Sequence, residues 1–336
     1  LGQRDEAQRH GRAAADAGIP LTTPSTLLNR ACLSGLHAIH LASQMIRLGE
    51  AEMIIAGGME SMTNAPYLLT KARSGYRIGD GKLVDSMMHD GLTCPLEHCA
   101  MGEATERYAA QRGMERSPQD ALAVASHQRA AAAQAAGLLA EEIVAVSIAQ
   151  RRGDPVVVAD DEGIRPGIDQ ETLGRLAPAF APDGNLTAGN ASQISDGAAA
   201  VIVTTMERAE ALGIEPLAEI VAHGQVAGPD TSLLNQPSNA IEKALAGTNL
   251  SVADLDLFEI NEAFAAVALA STEALGVPDS VVNVNGGAIA LGHPIGMSGT
   301  RVALTLAYQL KRQGGGLGAA ALCGGGGQGE ALVIKV

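Results

Sequence analysis

Residues 34–58 read SGLHAIHLASQMIRLGEAEMIIAGG, and the fold prediction depends on this pattern. Leu36, Ile39 and Ile46 recur at nearly helical spacing and Gly49 follows them, which predicts an amphipathic helix over 33–48. Residues 53–56 then form a short apolar run before a glycine pair. Such a run is typical of a buried strand in a parallel sheet. The segment is therefore predicted to be a helix followed by a strand.

The same order returns at residues 298–325, which read SGTRVALTLAYQLKRQGGGLGAAALCGG. A helical pattern over 300–310 leads through a glycine turn to an apolar run at 319–322. Both segments thus run from Ser-Gly through a helix and a strand to Gly-Gly. A repeated helix-strand unit predicts a duplicated α/β fold, with parallel sheets in layers and helices packed outside and between them.

The region between the two copies of the helix-strand unit has a different composition. Residues 62–192 carry most of the Met, His, Pro and charge clusters, which is typical of an irregular insertion. We therefore predict a first half formed by residues 1–61 and 193–213, an inserted loop domain at 62–192 that serves as a lid or ligand-binding region, and a second half at 214–336.

The composition of the 336 residues permits an enzyme with a large core built from small side chains. Apolar residues make up 46% of the sequence, but only 2% are aromatic and Trp is absent. Ala, Val, Ile, Leu, Met and Gly must then fill the interior. This composition predicts backbones that approach one another closely.

Charge and cysteine usage exclude several classes of partner. Lys and Arg number 23 against 37 Asp and Glu, a net charge of −14 that disfavours nucleic acid and anionic membranes. A phosphate-bearing ligand would therefore need a local basic spot. The 4 cysteines are irregularly spaced, unlike a disulfide framework, which predicts a reducing, cytoplasmic compartment. No run approaches the ~20 apolar residues of a membrane span.

The first candidate catalytic residue is Cys32, in the segment Asn29-Arg30-Ala31-Cys32-Leu33-Ser34-Gly35. The segment lies at the start of the predicted helix, where backbone N–H groups favour an anion. A helix start lowers the pKa of a thiol, so Cys32 is predicted to be a nucleophile. The alternative is a small buried hydrophobic residue, the common role of a free cysteine.

Three other segments carry candidate polar groups. His293 lies among glycines in residues 286–296 and could accept the Cys32 proton, or else be a core histidine bonded to a backbone carbonyl. Cys323 ends a predicted strand and precedes bare glycine backbone that a ligand can approach. Asn261, in Glu259-Ile260-Asn261-Glu262-Ala263-Phe264, ends the strand-like run 255–260, where asparagine is also common in turns.

Two other kinds of site are not favoured. The glycine run after Cys323 is followed by the strand-like residues 331–336 and contains no Gly-Lys-Ser/Thr, so it is neither a dinucleotide fingerprint nor a P-loop. His89, Cys94, His98 and Cys99 lie close in sequence, but their spacing matches no usual zinc pattern. A polar loop is the preferred interpretation of these four residues, and no metal site is predicted.

Together these segments resemble the thiolase family, and the resemblance runs along essentially the whole chain. It implies that Cys32 is the acylated nucleophile, that His293 activates it and that Cys323 is a second acid/base. It implies also that Asn261 orders a water in one oxyanion hole, while the main-chain N–H groups of Cys32 and Gly325 form another. The implied reaction is a reversible Claisen condensation or thiolysis of acyl-CoA thioesters.

The resemblance also implies a substrate tunnel. The residues that match positions lining the acyl and pantetheine part are Leu92, Met101, Ala188, Ser192, Ala263 and Phe264. Arg165 matches a residue near the nucleotide end of coenzyme A. The resemblance further implies a homodimer or homotetramer and no cofactor besides the coenzyme A substrates. Family members begin with a strand, a helix and a strand ahead of the first residues here, so the first half is expected to lack that unit.

Two rival functions follow from the same residues. A ketoacyl synthase resembles this architecture but pairs its cysteine with two histidines, or with His and Asn, and lacks the second cysteine; Cys323 argues against it. A thiolase-like lipid carrier or scaffold without turnover is the rival of a different class. The presence of all four motif residues favours the enzyme.

Overall fold

The computed structural model describes residues 6–336, with side chains described from residue 11 onward. The helices are α1 (Glu6–Asp16), α2 (Ser34–Arg47), α3 (Met101–Gln111), α4 (Arg116–Ala135), α5 (Gln170–Gly174), α6 (Met206–Ala211), α7 (Gln236–Leu245), α8 (Ala265–Leu275), α9 (Ala288–Leu291) and α10 (Ser298–Arg312). In the described part of the chain, no helix has the length and apolar character needed to span a membrane.

The strands form one four-stranded sheet and four two-stranded sheets. They are β1 (Met53–Ser61), β2 (Tyr67–Leu68), β3 (Val84–Asp85), β4 (Thr93–Cys94), β5 (Cys99–Ala100), β6 (Val146–Ile148), β7 (Val156–Val158), β8 (Asp196–Thr204), β9 (Glu219–Ala227), β10 (Leu257–Ile260), β11 (Leu317–Gly324) and β12 (Gln328–Lys335). The large sheet has the order β10-β11-β12-β9, and β1 pairs with β8.

The helices and strands predicted from the repeated pattern are confirmed. The predicted helix 33–48 is α2, and Gly49 beyond its end has a φ of +74°, a conformation that glycine adopts without strain. The predicted helix 300–310 lies within α10, and the apolar runs 53–56 and 319–322 lie within β1 and β11.

The prediction of parallel sheets is wrong for most strand pairs. Among the strands that the structure describes, β10 and β11 run parallel, whereas β11–β12, β12–β9 and β1–β8 are antiparallel. A tight glycine turn joins β11 to β12, and a short turn can only join antiparallel strands. The strand β1 is also less buried than predicted: Ala56 is buried, but Ile55 and Met59 are exposed. An apolar run alone does not report the direction of its partner.

The layered arrangement is confirmed by the packing of the helices. Helices α2 and α10 pack against each other between the four-stranded sheet and the β1–β8 sheet. Helix α2 contacts β1, β8 and β12, and helix α10 contacts β8, β10 and β11. Helix α7 covers the other face of the four-stranded sheet and also contacts α8. Alternating side chains of the sheet serve the two faces: Leu322 and Leu332 pack towards α2 and α10, while Ala321 and Val333 pack with residues of α7.

The duplication is visible where α2 and α10 begin. A Cβ at Gly35 would lie 2.7 Å from the Thr300 backbone nitrogen, and a Cβ at Gly299 would lie 2.2 Å from that of Leu36. Thr300 Oγ1 also donates a hydrogen bond to Gly35 O at 3.2 Å. Each Ser-Gly pair therefore packs against the start of the helix that follows the other pair. The repeated glycines are required by this close approach of two backbones.

We expect Gly299→Ala to lower the free energy of unfolding by about 1–3 kcal/mol, because the added methyl has no room and the backbones must separate. This sign is opposite to helix propensity, which favours alanine by about 1 kcal/mol. Gly174→Ala is the control, since a Cβ there meets nothing within 4 Å. Urea denaturation measures both variants, and equal stability changes would contradict the close-packing account.

Residues 62–192 contain the six short strands β2–β7 and the helices α3, α4 and α5. The short strands pair as β2–β3, β4–β5 and β6–β7, each a two-stranded antiparallel unit. Helix α4 packs on α8 and α9 of the second half. The three-part division of the chain into 1–61 with 193–213, 62–192 and 214–336 stays a prediction.

Candidate active site

Cys32 lies in a 3₁₀ turn, Ala31–Leu33, directly before α2. Ala31 has a φ of +50°, a left-handed conformation that costs a non-glycine residue of order 1–3 kcal/mol. Neighbouring side chains hold it there: Asn29 Oδ1 accepts from the Ala31 N–H at 2.9 Å, and Ser34 Oγ donates to Ala31 O at 2.7 Å and accepts from the Arg30 N–H at 2.8 Å. The polar residues of the motif therefore fix the turn that carries the thiol.

The prediction of a lowered thiol pKa at Cys32 is wrong. Burial raises the pKa of Cys32 to about 12; a backbone hydrogen bond opposes this shift, and the Glu60 carboxylate adds to it. The cost of removing a thiolate from water is larger here than the benefit of the helix start. The resting thiol is therefore neutral, and its reaction as a nucleophile requires a base.

His293 has the properties of such a base. Its Nδ1 lies 2.6 Å from Ser298 Oγ, and that hydroxyl donates its own proton to Pro294 O at 2.9 Å. Ser298 Oγ must then accept a hydrogen bond from Nδ1–H, which leaves the lone pair on Nε2. Nε2 is buried and has no hydrogen-bond partner among the residues that the structure describes. Burial, helped by the charge of Arg301, lowers the pKa of His293 to about 4, so the ring is neutral.

Cys323 and Asn261 lie at the same edge of the four-stranded sheet. Asn261 follows β10 and Cys323 lies near the end of β11, and these strands run parallel. The carboxyl ends of neighbouring parallel strands are the usual position of sites in α/β sheets. The Asn261 N–H donates to Ala321 O at 3.0 Å, and Asn261 Nδ2 lies 3.5 Å from His293 Nδ1.

The two cysteines are also close to each other. Burial raises the pKa of Cys323 above its ordinary range, and the neighbouring Cys32 raises it further. A Cβ on Gly324 would meet the side chain of Leu33, and Asn261 Nδ2 lies 3.5 Å from His293 Nδ1, so the two cysteine segments adjoin each other and the amide adjoins the imidazole. The cysteine segments meet although 291 positions separate Cys32 from Cys323 (323 − 32 = 291).

Gly325 lies against Met101, just after the second cysteine. A Cβ at Gly325 would lie 2.4 Å from Met101 Cε, so a side chain there would displace the flexible end of this methionine. Met101 begins α3, and its N–H donates to Leu92 O at 2.8 Å. Leu92 and Met101 are thereby placed over the main chain just after Cys323.

Three further predicted binding residues adjoin Asn261 and His293. The Ser192 N–H donates to Ala263 O at 3.1 Å, and Phe264 follows Ala263 at the start of α8. The next residue, Gln193, accepts a hydrogen bond from the His293 N–H at 3.2 Å. Ser192 thus directly precedes Gln193, which His293 contacts. Ala263 and Phe264 closely follow Asn261 in the chain.

Arg165 and Ala188 are both exposed. The Arg165 N–H donates to His127 Nδ1 at 3.1 Å, and burial, with the charge of Arg165, lowers the pKa of His127 to about 4. Ala188 lies in a tight turn where the Thr187 N–H donates to Asn190 Oδ1 at 2.8 Å. The role of Arg165 and Ala188 in binding coenzyme A stays a prediction.

The sequence analysis missed the role of Ser298. It appeared there as part of the repeated Ser-Gly pair, but its contact with His293 selects the tautomer of the imidazole. The available signal was its spacing: Ser298 follows His293 by five residues and opens α10. Two of the four residues considered for zinc, Cys94 and Cys99, are paired across β4–β5. In the described part of the chain these four residues supply no group of three candidate ligands.

The pKa of His293 predicts an unusual pH dependence. Only a neutral imidazole accepts a proton, and His293 becomes charged near pH 4 instead of 6.5. We expect the acid limb of kcat/KM for acyl transfer to fall near pH 4, with a level rate through 6.5. Circular dichroism at each pH serves as the control for folding. A half-maximal rate near pH 6.5 would contradict the assignment of a buried, neutral base.

A duplicated layered fold, with two cysteines, a histidine and an asparagine gathered beside its central sheet, is that of an acyltransferase. The thiolase N-terminal domain family matches residues 1–207, and the thiolase C-terminal domain family matches residues 214–336. The chain belongs to the thiolase family.

Individual relatives agree with this assignment. A probable acetyl-CoA acetyltransferase of Mycolicibacterium smegmatis is 56% identical over 324 residues, which cover 96% of this chain and 84% of the relative. The crystal structure of the Bacillus anthracis acetyl-CoA acetyltransferase has a TM-score of 0.96 at 40% identity and covers 100% of this chain and 84% of its own. That of human mitochondrial 3-ketoacyl-CoA thiolase in complex with CoA has a TM-score of 0.94 at 38% identity, covering 99% and 83%.

Proposed function

We propose that this chain catalyses the reversible condensation of two acyl-CoA molecules to a 3-ketoacyl-CoA and free coenzyme A, through an acyl group on Cys32. One observation carries the proposal. The segments of the two cysteines adjoin each other at Leu33 and Gly324, Cys32 raises the pKa of the buried Cys323, and a neutral histidine whose Nε2 lone pair is free within the described structure lies beside Asn261.

The first step is acyl transfer to Cys32. His293 Nε2 takes the thiol proton as the sulfur attacks the thioester carbonyl, because the neutral thiol is a weak nucleophile. Main-chain N–H groups of Cys32 and Gly325 are suited to stabilise the oxyanion. Coenzyme A departs as a thiolate and takes the proton of Cys323. The products are an acyl-Cys32, a Cys323 thiolate and a protonated His293.

The second step forms the carbon–carbon bond. The Cys323 thiolate takes an α-proton from acetyl-CoA, and the resulting enolate attacks the acyl group on Cys32. Asn261 is suited to hold a water that stabilises the enolate oxygen, since its amide lies beside His293. When the tetrahedral intermediate collapses, the Cys32 sulfur leaves and recovers the proton held by His293.

The substrates are inferred from the family and from the tunnel residues. Leu92, Met101, Ser192, Ala263 and Phe264 lie near the reacting side chains, and we assign them to the acyl and pantetheine tunnel together with Ala188. Arg165 is exposed and cationic, as needed for a phosphate on an otherwise acidic protein. No other cofactor takes part in the proposed reaction. We also infer a homodimer or homotetramer in a reducing, cytoplasmic compartment, in which all four cysteines stay free.

A thiolysis assay tests the proposal and its main rival. Purified chain is mixed with free coenzyme A and 3-ketoacyl-CoA substrates of increasing length, and loss of the ketoacyl thioester is followed. We expect cleavage that depends on coenzyme A, with the chain-length profile reporting the shape of the tunnel. Tight binding of the same thioesters without cleavage at any length would instead support the lipid carrier or scaffold.

A further inference from the structure

A second polar cluster lies around the side chain of Glu330 on β12, which Arg30 of the Cys32 segment also contacts. This side chain is fully buried, and its Oε1 lies 2.9 Å from His37 Nδ1 and 2.7 Å from His223 Nε2. His37 belongs to α2 and His223 to β9. Burial alone would raise the pKa of Glu330, but hydrogen bonds from both histidines and the charge of Arg30 hold it at about 2, so the group is a carboxylate.

The hydrogen bonds of His37 Nδ1 conflict with one another. This atom lies 2.9 Å from Glu330 Oε1, 3.1 Å from Arg30 Nη1 and 2.9 Å from Gln225 Nε2. A protonated Nδ1 suits the carboxylate but faces two N–H donors, whereas a bare Nδ1 suits the donors but faces a carboxylate oxygen. In the present orientation Gln225 Nε2 lies 3.3 Å from Glu330 Oε1. Rotating the Gln225 amide would bring its oxygen to that position, against the carboxylate oxygen. A cation bound to Nδ1 and Oε1 would replace the contact between the ring and the carboxylate, and the Gln225 amide would have to turn away from it.

We propose that His37 Nδ1, His223 Nε2 and Glu330 Oε1 form a binding site for a zinc ion. The three atoms all lie within 4.8 Å of one another. Two imidazoles and one carboxylate are ligands that zinc prefers, at metal distances of about 2.0–2.2 Å. Tetrahedral geometry at those distances sets ligand atoms roughly 3.3–3.6 Å apart, so the contacts of Glu330 Oε1 with the two histidines, now 2.9 and 2.7 Å, must open by roughly half an ångström or more.

The surroundings complete the site as expected for a metal centre. Arg30 Nη1 donates to the other carboxylate oxygen, Oε2, at 2.6 Å and fixes the orientation of the Glu330 group. The ring of His40 stacks on His223 with centroids 3.2 Å apart. His37 is partly exposed, which leaves an entry path and room for a water as the fourth ligand.

The site would join the two thiolase domains. His37 lies in the N-terminal domain, on the helix that starts just after Cys32, while His223 and Glu330 lie in the C-terminal domain. An ion there would hold α2 against the four-stranded sheet. Because zinc would bind the folded chain and not the unfolded one, it would raise the thermal unfolding midpoint.

Zinc titration of the full chain tests the site. The cysteines are first alkylated so that thiols cannot bind the metal, and bound zinc is measured against a chromogenic competitor. We expect one zinc per chain, and at least about tenfold weaker binding in His37→Gln and in His223→Gln. His89→Gln is the matched control, because His89 also lies 2.7 Å from a carboxylate, that of Asp90, but has no third ligand in the described structure.

A chemical readout on the unmutated chain guards against variants that fail to fold. Diethyl pyrocarbonate modifies accessible imidazoles, and peptide mass mapping locates the label. Zinc should protect His37 and His223 but leave His89 reactive, and it should raise the unfolding midpoint of the alkylated chain. The proposal is overturned if the alkylated chain binds no zinc, if His223→Gln binds as tightly as the parent, or if labelling of His37 is unchanged by zinc.

Discussion

Cys32→Ala is expected to abolish both covalent acylation and turnover. In the proposed mechanism every acyl group passes through the Cys32 sulfur, and Cys32 lies in the turn directly before α2. Removal of a nucleophile that acts together with its base costs on the order of 10⁶-fold in rate. The substitution removes one partly exposed sulfur from a turn that Asn29 and Ser34 hold through other atoms, so the fold should persist.

Intact mass spectrometry after exposure to acetyl-CoA, together with the thiolysis assay, measures this prediction. Cys99→Ala is the control, because Cys99 is also a free, partly exposed cysteine but lies in the β4–β5 hairpin. It should acylate and turn over normally. Substantial turnover by Cys32→Ala would show that the acyl group is carried elsewhere.

Cys323→Ala is expected to separate the two half-reactions. Acylation needs Cys32, His293 and an oxyanion hole, so this variant should still be acylated by acetyl-CoA. Formation and cleavage of the carbon–carbon bond need the Cys323 thiolate, and loss of a positioned acid/base costs on the order of 10²–10⁴-fold or more. A methyl group in place of a buried sulfur also leaves the β11 backbone pairing unchanged.

The two assays read the steps independently on the same preparation. We expect an acyl adduct on Cys323→Ala by mass, accompanied by a severe loss of thiolysis. Near-normal thiolysis would show that another group handles the α-proton. Loss of the adduct together with thiolysis, in a folded variant, would show that the roles of the two cysteines are not separable.

The sequence predicted the elements of the fold well because two of its signals are local. Helical spacing from Leu36 to Ile46 and the glycine after it define α2 without reference to the rest of the chain. Strand direction is different, since β1 pairs with β8, which lies more than a hundred positions away. No property of residues 53–56 specifies that partner, and the parallel arrangement was therefore predicted wrongly.

The four candidate residues could be named from the sequence, but the electrostatics of the site could not be predicted. The motifs identified Cys32, His293, Cys323 and Asn261, and their catalytic roles stay predictions. The pKa of Cys32 depends on how much water reaches the sulfur, which is set by residues from distant segments. The favourable helix start could be inferred from the sequence, whereas the larger effect of burial could not. The role of Ser298 was not predicted for a related reason, since it depends on a contact between the Ser298 hydroxyl and the His293 ring that exists only in the folded chain.

The most direct test of the account is the location of the acyl group. The unmodified chain is exposed briefly to acetyl-CoA in the absence of free coenzyme A, quenched in acid, digested and mapped by tandem mass spectrometry. The account predicts acetylation on the peptide that contains Cys32, with Cys323, Cys94 and Cys99 unmodified. An acetyl group on Cys323, or a chain that turns over with no acylated cysteine, would contradict it.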